Sequence, residues 1–230
     1  MSLINVTKLS QALCEAPIKA DLKYATSKNF VGRVIAGYDT SITDIAFMTP
    51  KAAHQLCLVQ NKLIQQYAYG LLIFDAYRPK RAVMDFLHWS KQKPVSDYEL
   101  ERKEKHYPHI QKNQLFELGY LIEDSGHCYG NTVDLFLLDI NTGKPLAMGA
   151  RFDFMDPLSR TTASGNEIGE QAYMHRGILS ETMLEFGFHP YVEEFWHFSH
   201  GGKQGREVLD PMNISYTTLK SNRGDYEENI

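Results

Sequence analysis

The chain has 230 residues, of which 43% are hydrophobic and 12% aromatic, enough apolar material for one sizeable core. Its 24 basic and 28 acidic residues give a formal net charge of -4 and are mixed along the chain, which argues against a nucleic-acid or anionic-membrane surface. We therefore expect a single domain over residues 1–230 that acts on a small molecule or peptide, with no nucleic-acid or membrane partner. The sequence does not define an oligomeric state.

The cysteines and the N-terminus indicate a cellular location. Cys14, Cys57 and Cys128 are widely spaced and form no CxxC pair, as is typical of free thiols in a reducing compartment. The first 25 residues do not match a signal peptide, since only Lys8 precedes a short, broken apolar stretch. No window reaches the roughly 18 to 20 apolar residues of a membrane span. We expect a cytoplasmic protein, or a periplasmic one if a targeting segment has been trimmed.

The first half of the chain predicts a helix, a strand and a second helix. Thr49 and Pro50 form a helix start, and apolar residues then recur at spacings of three and four up to Gly70. The residues of this stripe are Ala52, Leu56, Val59, Leu63 and Tyr67. The apolar run 71–77 reads as a buried strand, and Pro79 suits the first turn of the next helix.

The second half continues the mixture of helices and strands, without repeats. Segment 96–106 is strongly charged and is expected to be a solvated loop or helix. Segment 133–140 predicts a second strand, 170–186 a helix and 191–199 an aromatic-rich strand, whereas 215–230 is a polar tail expected to be partly disordered. The predicted apolar stripe of the helix, with its capping glycine, is Met174, Ile178, Met183, Phe186 and Gly187.

The nine histidines are the natural place to look for a metal site, because imidazole is the commonest metal ligand among side chains. Those in a helix, beside proline or in polar loops are assigned structural or surface roles: His54, His106, His109 and His189. His127 differs, since Gly126 and Gly130 free the backbone around it and an apolar strand begins near Asp134. A carboxylate in such a strand is costly to bury unpaired, and metal coordination is one arrangement that stabilises it. A salt bridge is the rival explanation, and in either case we expect His127 to lie in a turn folded over the start of the strand.

A second pair of candidate residues lies late in the chain, in EEFWHFSH. Glu194 and His197 are three residues apart, and two histidines with one carboxylate leave an open coordination position on a catalytic zinc ion. Glu194 can then accept a proton from water and pass it to a leaving amine. Because positions i and i+3 face opposite sides of an ideal strand, this assignment requires a bulge, a bend or the strand end here. In the alternative interpretation, Trp196 and Phe198 are core aromatics and Glu194 lies on the surface.

Together the two blocks resemble the signature of the VanX-type D-alanyl-D-alanine dipeptidases, a branch of the zinc D,D-peptidases. That signature is Ser-x-His-x-x-Gly-x-x-x-Asp followed by Glu-x-Trp-His, and here it runs from Ser125 to Asp134 and from Glu194 to His197. Other stretches are similar to family segments and occur in family order: LKYATSKNF near residue 22, GLLIFDAYRPKRAV and MGARFDFMD. The resemblance covers about residues 20–200.

The resemblance implies an α+β domain with a central, mainly antiparallel sheet flanked by helices, and zinc-dependent hydrolysis of D-alanyl-D-alanine or a related D,D-dipeptide. It implies that one zinc ion is held by His127, Asp134 and His197, and that Glu194 is the general base and acid. Arg78 matches the arginine that stabilises the tetrahedral transition state, with a structural salt bridge to Asp75 as the alternative. Three further residues fall where the family positions the amino end of its substrate, although the last could equally cap a turn: Tyr24, Ser125 and Asp153.

Departures from the family pattern leave the choice among D,D-dipeptides open. Cys128-Tyr129 replaces a small polar and basic pair, and Phe195 stands where a second tryptophan is common; Tyr129 is a candidate to narrow or reshape the pocket. Cys128 also suggests a cysteine nucleophile, but it would leave Arg78 and Glu194 without roles. A non-haem iron oxygenase with the same ligand set and a peptide-binding relative without turnover are also compatible with these residues. Antibiotic resistance, wall recycling and D-alanine nutrition all use one reaction, so the biological role stays open.

Overall fold

The described part of the chain is built around a five-stranded sheet. The computed structural model describes residues 3–94, 96–208 and 210–221. Its strands are β1 Ile4–Asn5, β2 Lys19–Ala20, β3 Phe47–Met48, β4 Tyr69–Asp75, β5 Thr132–Asp139, β6 Phe188–Tyr191 and β7 Glu194–His200. Its helices are α1 Val6–Leu13, α2 Pro50–Tyr67, α3 Lys80–Lys91, α4 Asp97–His106, α5 Gly165–Ile168, α6 Glu170–Glu185 and α7 Tyr216–Ser221. Short 3-10 turns lie at Lys23–Ala25, Lys112–Gln114, Gly126–Tyr129 and Pro157–Ser159.

The order of strands in the main sheet is β2-β4-β5-β7-β6. The β2 strand pairs with β4 in parallel, and the other neighbours are antiparallel. The β1 and β3 strands form a separate antiparallel pair. A hydrophobic core that includes residues from Leu3 to Tyr216 packs around the sheet. The predicted α+β fold, a single domain with a mainly antiparallel sheet and flanking helices, is confirmed.

The register of the three central strands brings residues that are far apart in sequence into one row. Asp75 at the end of β4 lies opposite Asp134 of β5, and Asp134 lies opposite His197 of β7. A register shift between Ile73 and Asp75 marks an irregularity just before this row. Two of the three predicted ligands, Asp134 and His197, are therefore cross-strand neighbours. They lie level with the C-terminal end of β4.

The predicted first helix, the strand after it and the next helix are confirmed as α2, β4 and α3. Pro50 occupies the first turn of α2, and the helix ends at Ala68, whose φ of 55° is left-handed. All of the predicted stripe is buried except Tyr67, which is 42% exposed at the end of the helix. The apolar spacing of α2 thus predicts the face that packs on the sheet.

The α6 helix confirms the predicted range and most of the predicted apolar stripe, since Ile178, Met183 and Phe186 pack on the core. Met174 is 50% exposed, whereas Met183 is buried. The buried residues of the helix are Ala172, His175, Arg176, Leu179, Thr182 and Met183. Arg176 donates to the carbonyl oxygens of Met148 and Leu158 in neighbouring loops at 2.7 and 2.9 Å. A hydrophobic pattern cannot identify a face that buries a guanidinium through such bonds.

The predicted strand over 191–199 is a hairpin in the structure. The β6 strand ends at Tyr191 and β7 begins at Glu194, with a register shift between Pro190 and Tyr191. Glu194 is therefore the first residue of its strand, as its assignment beside His197 requires.

The beginning of the predicted polar tail is ordered. Residues Tyr216–Ser221 form α7, where the buried Tyr216 ring stacks on Tyr38 at 4.9 Å and its hydroxyl donates to the Tyr77 carbonyl oxygen. The rest of the predicted tail, 222–230, lies outside the described residues. Across the ranges that the structure describes, no helix has the length and apolar character needed to cross a membrane.

Candidate metal centre and active site

His127 lies in a tight turn that folds over the start of β5, as expected from its glycine neighbours. The 3-10 turn Gly126–Tyr129 ends at Gly130, whose φ of 72° is left-handed. The buried imidazole of His127 places Nδ1 2.6 Å from the carbonyl oxygen of Ala76. Because a carbonyl oxygen only accepts, Nδ1 donates this bond, and Nε2 is the ring nitrogen that faces the cavity.

The other two predicted ligands lie close to Nε2 of His127. His127 Nε2 lies 3.2 Å from Asp134 Oδ2 and 3.3 Å from His197 Nδ1. His197 Nδ1 lies 3.0 Å from Asp134 Oδ1. The three side chains each offer a ligand atom, and these atoms all lie within 4.8 Å of one another.

The chemistry of these three side chains fits a divalent metal ion. Asp134 Oδ1 is buried and makes no hydrogen bond among the described residues, despite its short distance to His197. Burial alone would raise the pKa of the Asp134 carboxyl, but His127 and His197 lower it overall, so this group is an anion. A carboxylate and two imidazole nitrogens that converge at these distances in a buried site can be stabilised by a cation between them. Two histidines and a carboxylate also leave an open coordination position, as in catalytic zinc sites.

Glu194 reaches the same cavity from the start of β7. Its Oε2 lies 3.6 Å from His197 Nδ1, and the residue is buried. Burial, and then the negative charges of Asp134 and Asp153, raise the pKa of its carboxyl well above the usual range. A carboxyl group with a raised pKa can both accept and release a proton near neutral pH, as general acid–base catalysis requires. The interpretation that placed Glu194 on the surface is therefore not what the structure shows.

Arg78 makes the salt bridge that was the alternative to a catalytic role, and it also lines the cavity. Its Nε donates to Asp75 Oδ2 at 2.8 Å, and one terminal nitrogen lies 3.5 Å from Asp134 Oδ2. Asp75 is fully buried and also accepts a 2.6 Å hydrogen bond from the hydroxyl of Tyr38. Since a guanidinium has five N–H donors, the bond to Asp75 leaves others that can face the cavity. The carboxylate thus orients the arginine without excluding it from the site.

The three residues predicted to hold the amino end of the substrate lie at the same cavity. Tyr24 donates a 3.0 Å hydrogen bond to Asp153 Oδ1, while Asp153 Oδ2 is buried with no hydrogen-bond partner among the described residues. Burial, and then the charge of Asp134, raise the pKa of the Asp153 carboxyl well above the usual range. Ser125 is buried and lines the cavity beside Gly126.

One small cavity unites these groups. Its volume is about 40 Å³. The predicted site residues that line it are Tyr24, Arg78, Ser125, Asp134, Asp153, Glu194 and His197. His127 is fully buried behind Asp134 and His197. The structure therefore brings all eight predicted site residues together.

Several lining residues had no signal in the sequence. The loop residues Tyr120, Leu121 and Ile122 cover one side of the cavity, together with Met155 and Tyr191. The hydroxyl of Tyr191 in β6 donates to the carbonyl oxygen of Gly119 at 2.8 Å, which ties this loop to the sheet. No motif marks such residues, because only the tertiary fold brings the loop to the cavity.

The residues that depart from the family pattern lie away from the cavity. Its described lining includes neither Cys128 nor Tyr129. The Tyr129 hydroxyl donates to Asp124, and the Arg206 guanidinium lies 3.7 Å from the centre of its ring. Burial raises the pKa of the Cys128 thiol to about 11, which opposes a nucleophilic role. Phe195 packs under the guanidinium of Arg176 instead of entering the pocket.

Comparisons with known proteins identify the family of the chain. The family described as D-ala-D-ala dipeptidase matches residues 6–218. A D-alanyl-D-alanine dipeptidase of Enterococcus faecalis is 38% identical over 182 residues, which are 79% of this chain and 85% of the relative. One from Streptomyces coelicolor is 37% identical over 182 residues, with the same shares of 79% and 85%. One from Escherichia coli is 27% identical over 181 residues, which are 79% of this chain and 78% of the relative. The chain belongs to the D-ala-D-ala dipeptidase family.

Proposed function

We propose that this protein is a zinc-dependent dipeptidase that hydrolyses D-alanyl-D-alanine, or a closely related D,D-dipeptide, to free amino acids. The observation that carries the proposal is the convergence of His127 Nε2, Asp134 and His197 Nδ1 within 4.8 Å. Glu194 and Arg78 line the cavity above them. Membership of the dipeptidase family and the names of its relatives support this choice of reaction.

Each residue of the cavity has a different role in the proposed reaction. When bound by His127, Asp134 and His197, one zinc ion would polarise the scissile carbonyl and lower the pKa of water. Glu194 accepts the proton of the attacking water and transfers it to the leaving amine. Arg78 places N–H donors where negative charge develops on the carbonyl oxygen, in a buried site where such donors act most strongly. A non-haem iron oxygenase would leave Glu194 and Arg78 without these roles.

The amino end of the dipeptide is assigned to Tyr24, Ser125 and Asp153. An ammonium group would provide the partner that Asp153 Oδ2 lacks among the described residues. Binding of that charge would also shift the Asp153 carboxyl towards its ionised form. In an enclosed cavity, a buried carboxylate that requires a free ammonium selects against longer peptides.

The remaining expectations belong to the same proposal. We place one catalytic domain over residues 1–230 and the protein in the cytoplasm, and we expect it to need no nucleic-acid partner. The free thiols of Cys14, Cys57 and Cys128 support the reducing compartment.

A panel of alanine dipeptides that varies the chirality of each residue tests the proposed function. With zinc-loaded protein, the rate of hydrolysis of the D,D isomer should exceed that of the L,L isomer by at least about a hundredfold. Such selectivity is expected for a pocket that orients its substrate through several polar groups. Equal rates for all four isomers, or no hydrolysis of any D,D-dipeptide, would reject the proposal.

A further inference from the structure

The backbone of Asp153 adopts a conformation that its surroundings must hold in place. Its φ is 57°, and the other described non-glycine residue with a positive φ is Ala68 at the end of α2. A residue with a Cβ is disfavoured in this region, and such conformations persist only where neighbouring groups fix them. Asp153 lies in a loop between β5 and α5, so no ladder of backbone hydrogen bonds fixes it.

His106 provides two of the bonds that hold this loop. Its Nδ1 lies 3.0 Å from the carbonyl oxygen of Asp153, and its own carbonyl oxygen accepts a 2.7 Å hydrogen bond from the Met155 backbone N–H. One residue at the end of α4 therefore contacts the backbone on both sides of Phe154. The charged segment 96–106, expected to be a solvated loop or helix, presents a buried histidine to the cavity wall.

Arg102 determines which nitrogen of His106 carries the proton. One of its terminal nitrogens lies 2.7 Å from His106 Nε2. Since a guanidinium only donates, Nε2 must accept, and Nδ1 is the nitrogen that donates to Asp153. Burial lowers the pKa of His106 to about 4, so the ring is neutral near pH 7 and keeps this arrangement.

The same arginine reaches the loop that carries Tyr24. Arg102 Nε donates to the carbonyl oxygen of Asn29 at 2.8 Å. The Asn29 side chain donates to the carbonyl oxygens of Lys23 and Thr26, which lie on either side of Tyr24 and Ala25. The α4 helix thus holds both partners of the hydrogen bond between Tyr24 and Asp153, from outside the cavity.

We propose that His106 is a positioning residue that sets the orientation of the Asp153 carboxylate and thereby the preference of the enzyme for a free α-ammonium group. This inference rests on the proposed function, in which Asp153 binds the amino end of the dipeptide. His106 is not among the residues that line the catalytic cavity. Its effect should therefore fall on substrate binding, with little effect on the chemical step.

Two substitutions of His106 test the hydrogen bonds of its two ring nitrogens separately. In His106→Asn the side-chain amide can replace Nδ1 as the donor to Asp153, whereas in His106→Gln it can replace only Nε2 as the acceptor for Arg102. We expect KM for D-alanyl-D-alanine to rise on the order of tenfold in His106→Gln, the effect of one lost hydrogen bond, with kcat changed less than about threefold. KM should rise less than about threefold in His106→Asn. His88→Gln, on the exposed side of α3, is the matched control and should match the wild type.

Hydrolysis of an N-acetylated dipeptide distinguishes a specific effect on the ammonium site from a general loss of structure. Wild-type protein should prefer the free dipeptide strongly, and His106→Gln should reduce this preference on the order of tenfold while leaving the rate with the acetylated substrate unchanged. Equal losses with both substrates, or a fall in kcat alone, would overturn the inference. If His106→Gln does not fold, Arg102→Gln tests the same arrangement at a partly exposed position and should raise KM by a smaller factor.

Binding measurements keep this inference separate from the proposed function. In zinc-loaded Glu194→Ala protein, calorimetric titration with D-alanyl-D-alanine should show weaker binding, on the order of tenfold, when His106→Gln is added. Absence of turnover in the wild type, with this difference in affinity present, would reject the proposed function and retain the role of His106. Identical affinities with and without His106→Gln would reject that role, whatever the turnover.

Discussion

His127 and Ala76 are joined by a 2.6 Å hydrogen bond from the imidazole Nδ1 to the carbonyl oxygen. Ala76 follows directly after β4, so the central sheet sets the orientation of a ring that lies 51 residues later in the chain. The bond turns Nε2 towards Asp134 and His197. Such outer contacts of a metal-binding histidine are typically worth about 10- to 100-fold in metal affinity.

Replacing His127 should therefore remove the metal along with the activity. We expect His127→Ala to lower the bound zinc from about one ion per chain to a small fraction, because two ligands with an open cavity bind weakly. D-alanine release should fall by at least about a thousandfold. Mass-spectrometric metal analysis of purified protein provides the measurement, and His54→Ala on the exposed side of α2 is the control. Full zinc content in His127→Ala would contradict the assignment of this ligand.

Arg78 should act on the rate of the chemical step more than on binding. Arg78→Lys keeps the charge but loses the planar fork that bonds to Asp75 while other N–H groups face the cavity. We expect kcat to fall by about a hundredfold to a thousandfold, as for the loss of a donor to an oxyanion, with KM changed only a few-fold. Steady-state kinetics with D-alanyl-D-alanine would show this. Arg33→Lys, in an exposed ion pair with Asp85, should leave both constants unchanged.

The three candidate ligands could be selected from the sequence because each sits in a local pattern with a chemical reason. Glycines surround His127, Asp134 interrupts an apolar strand, and Glu194 and His197 are three residues apart. The resemblance to a family then assigned these residues to one site. Their convergence itself depends on the register of β4, β5 and β7, which no local pattern shows.

Other parts of the site could not be predicted because they depend on single long-range hydrogen bonds. His106 sits in a charged run that predicts a solvated segment, yet its ring reaches a backbone oxygen 47 residues away. Tyr38 supports Arg78 through Asp75 and has no motif of its own. The polar part of the buried face of α6 was missed for a related reason, since Arg176 is buried by bonds to loop carbonyl oxygens. Hydrophobic spacing predicts apolar packing and carries no information on satisfied polar groups.

Two glycine-to-alanine substitutions should change stability in opposite directions. Gly130, which ends the turn that carries His127, has a φ of 72°, and a Cβ there would lie 2.6 Å from Leu3 Cδ2. We expect Gly130→Ala to lower the free energy of unfolding by about 1 to 2 kcal/mol. Gly177 lies within α6, and a Cβ there would have no described neighbour within 4 Å apart from its own helix and adjoining residues. Gly177→Ala should raise the free energy of unfolding by about 0.5 to 1 kcal/mol.

Chemical denaturation at constant pH measures both glycine variants. Because the two substitutions add the same methyl group, a general effect of added volume would move both in one direction. No loss of stability in Gly130→Ala would contradict the description of the turn, and a loss in Gly177→Ala would contradict that of α6.

His106 should make the stability of the metal-free protein depend on pH. Burial lowers its pKa in the folded state to about 4, below the value of about 6.5 expected in the unfolded chain. The unfolded state therefore binds more protons between these values, and the contribution of His106 to stability falls as the pH falls. Between about pH 7.5 and about pH 5 the loss should be about 2 kcal/mol.

The non-titrating variant His106→Asn isolates this contribution. Denaturation of both proteins in the presence of a chelator should give a difference in unfolding free energy that shrinks as the pH is lowered. A difference that stays constant, or grows towards acid pH, would show that His106 is not held neutral in the folded state.

The most direct test of the whole account is D-alanine release from D-alanyl-D-alanine by zinc-loaded wild type and by Glu194→Ala. Glu194 lies 3.6 Å from His197, close to the predicted ion, without belonging to the set of three predicted ligands. We predict release by the wild type, a loss of at least about a thousandfold in Glu194→Ala, and an unchanged content of one zinc ion per chain in both proteins. Undiminished release by Glu194→Ala, or no release by zinc-loaded wild type, would contradict the account.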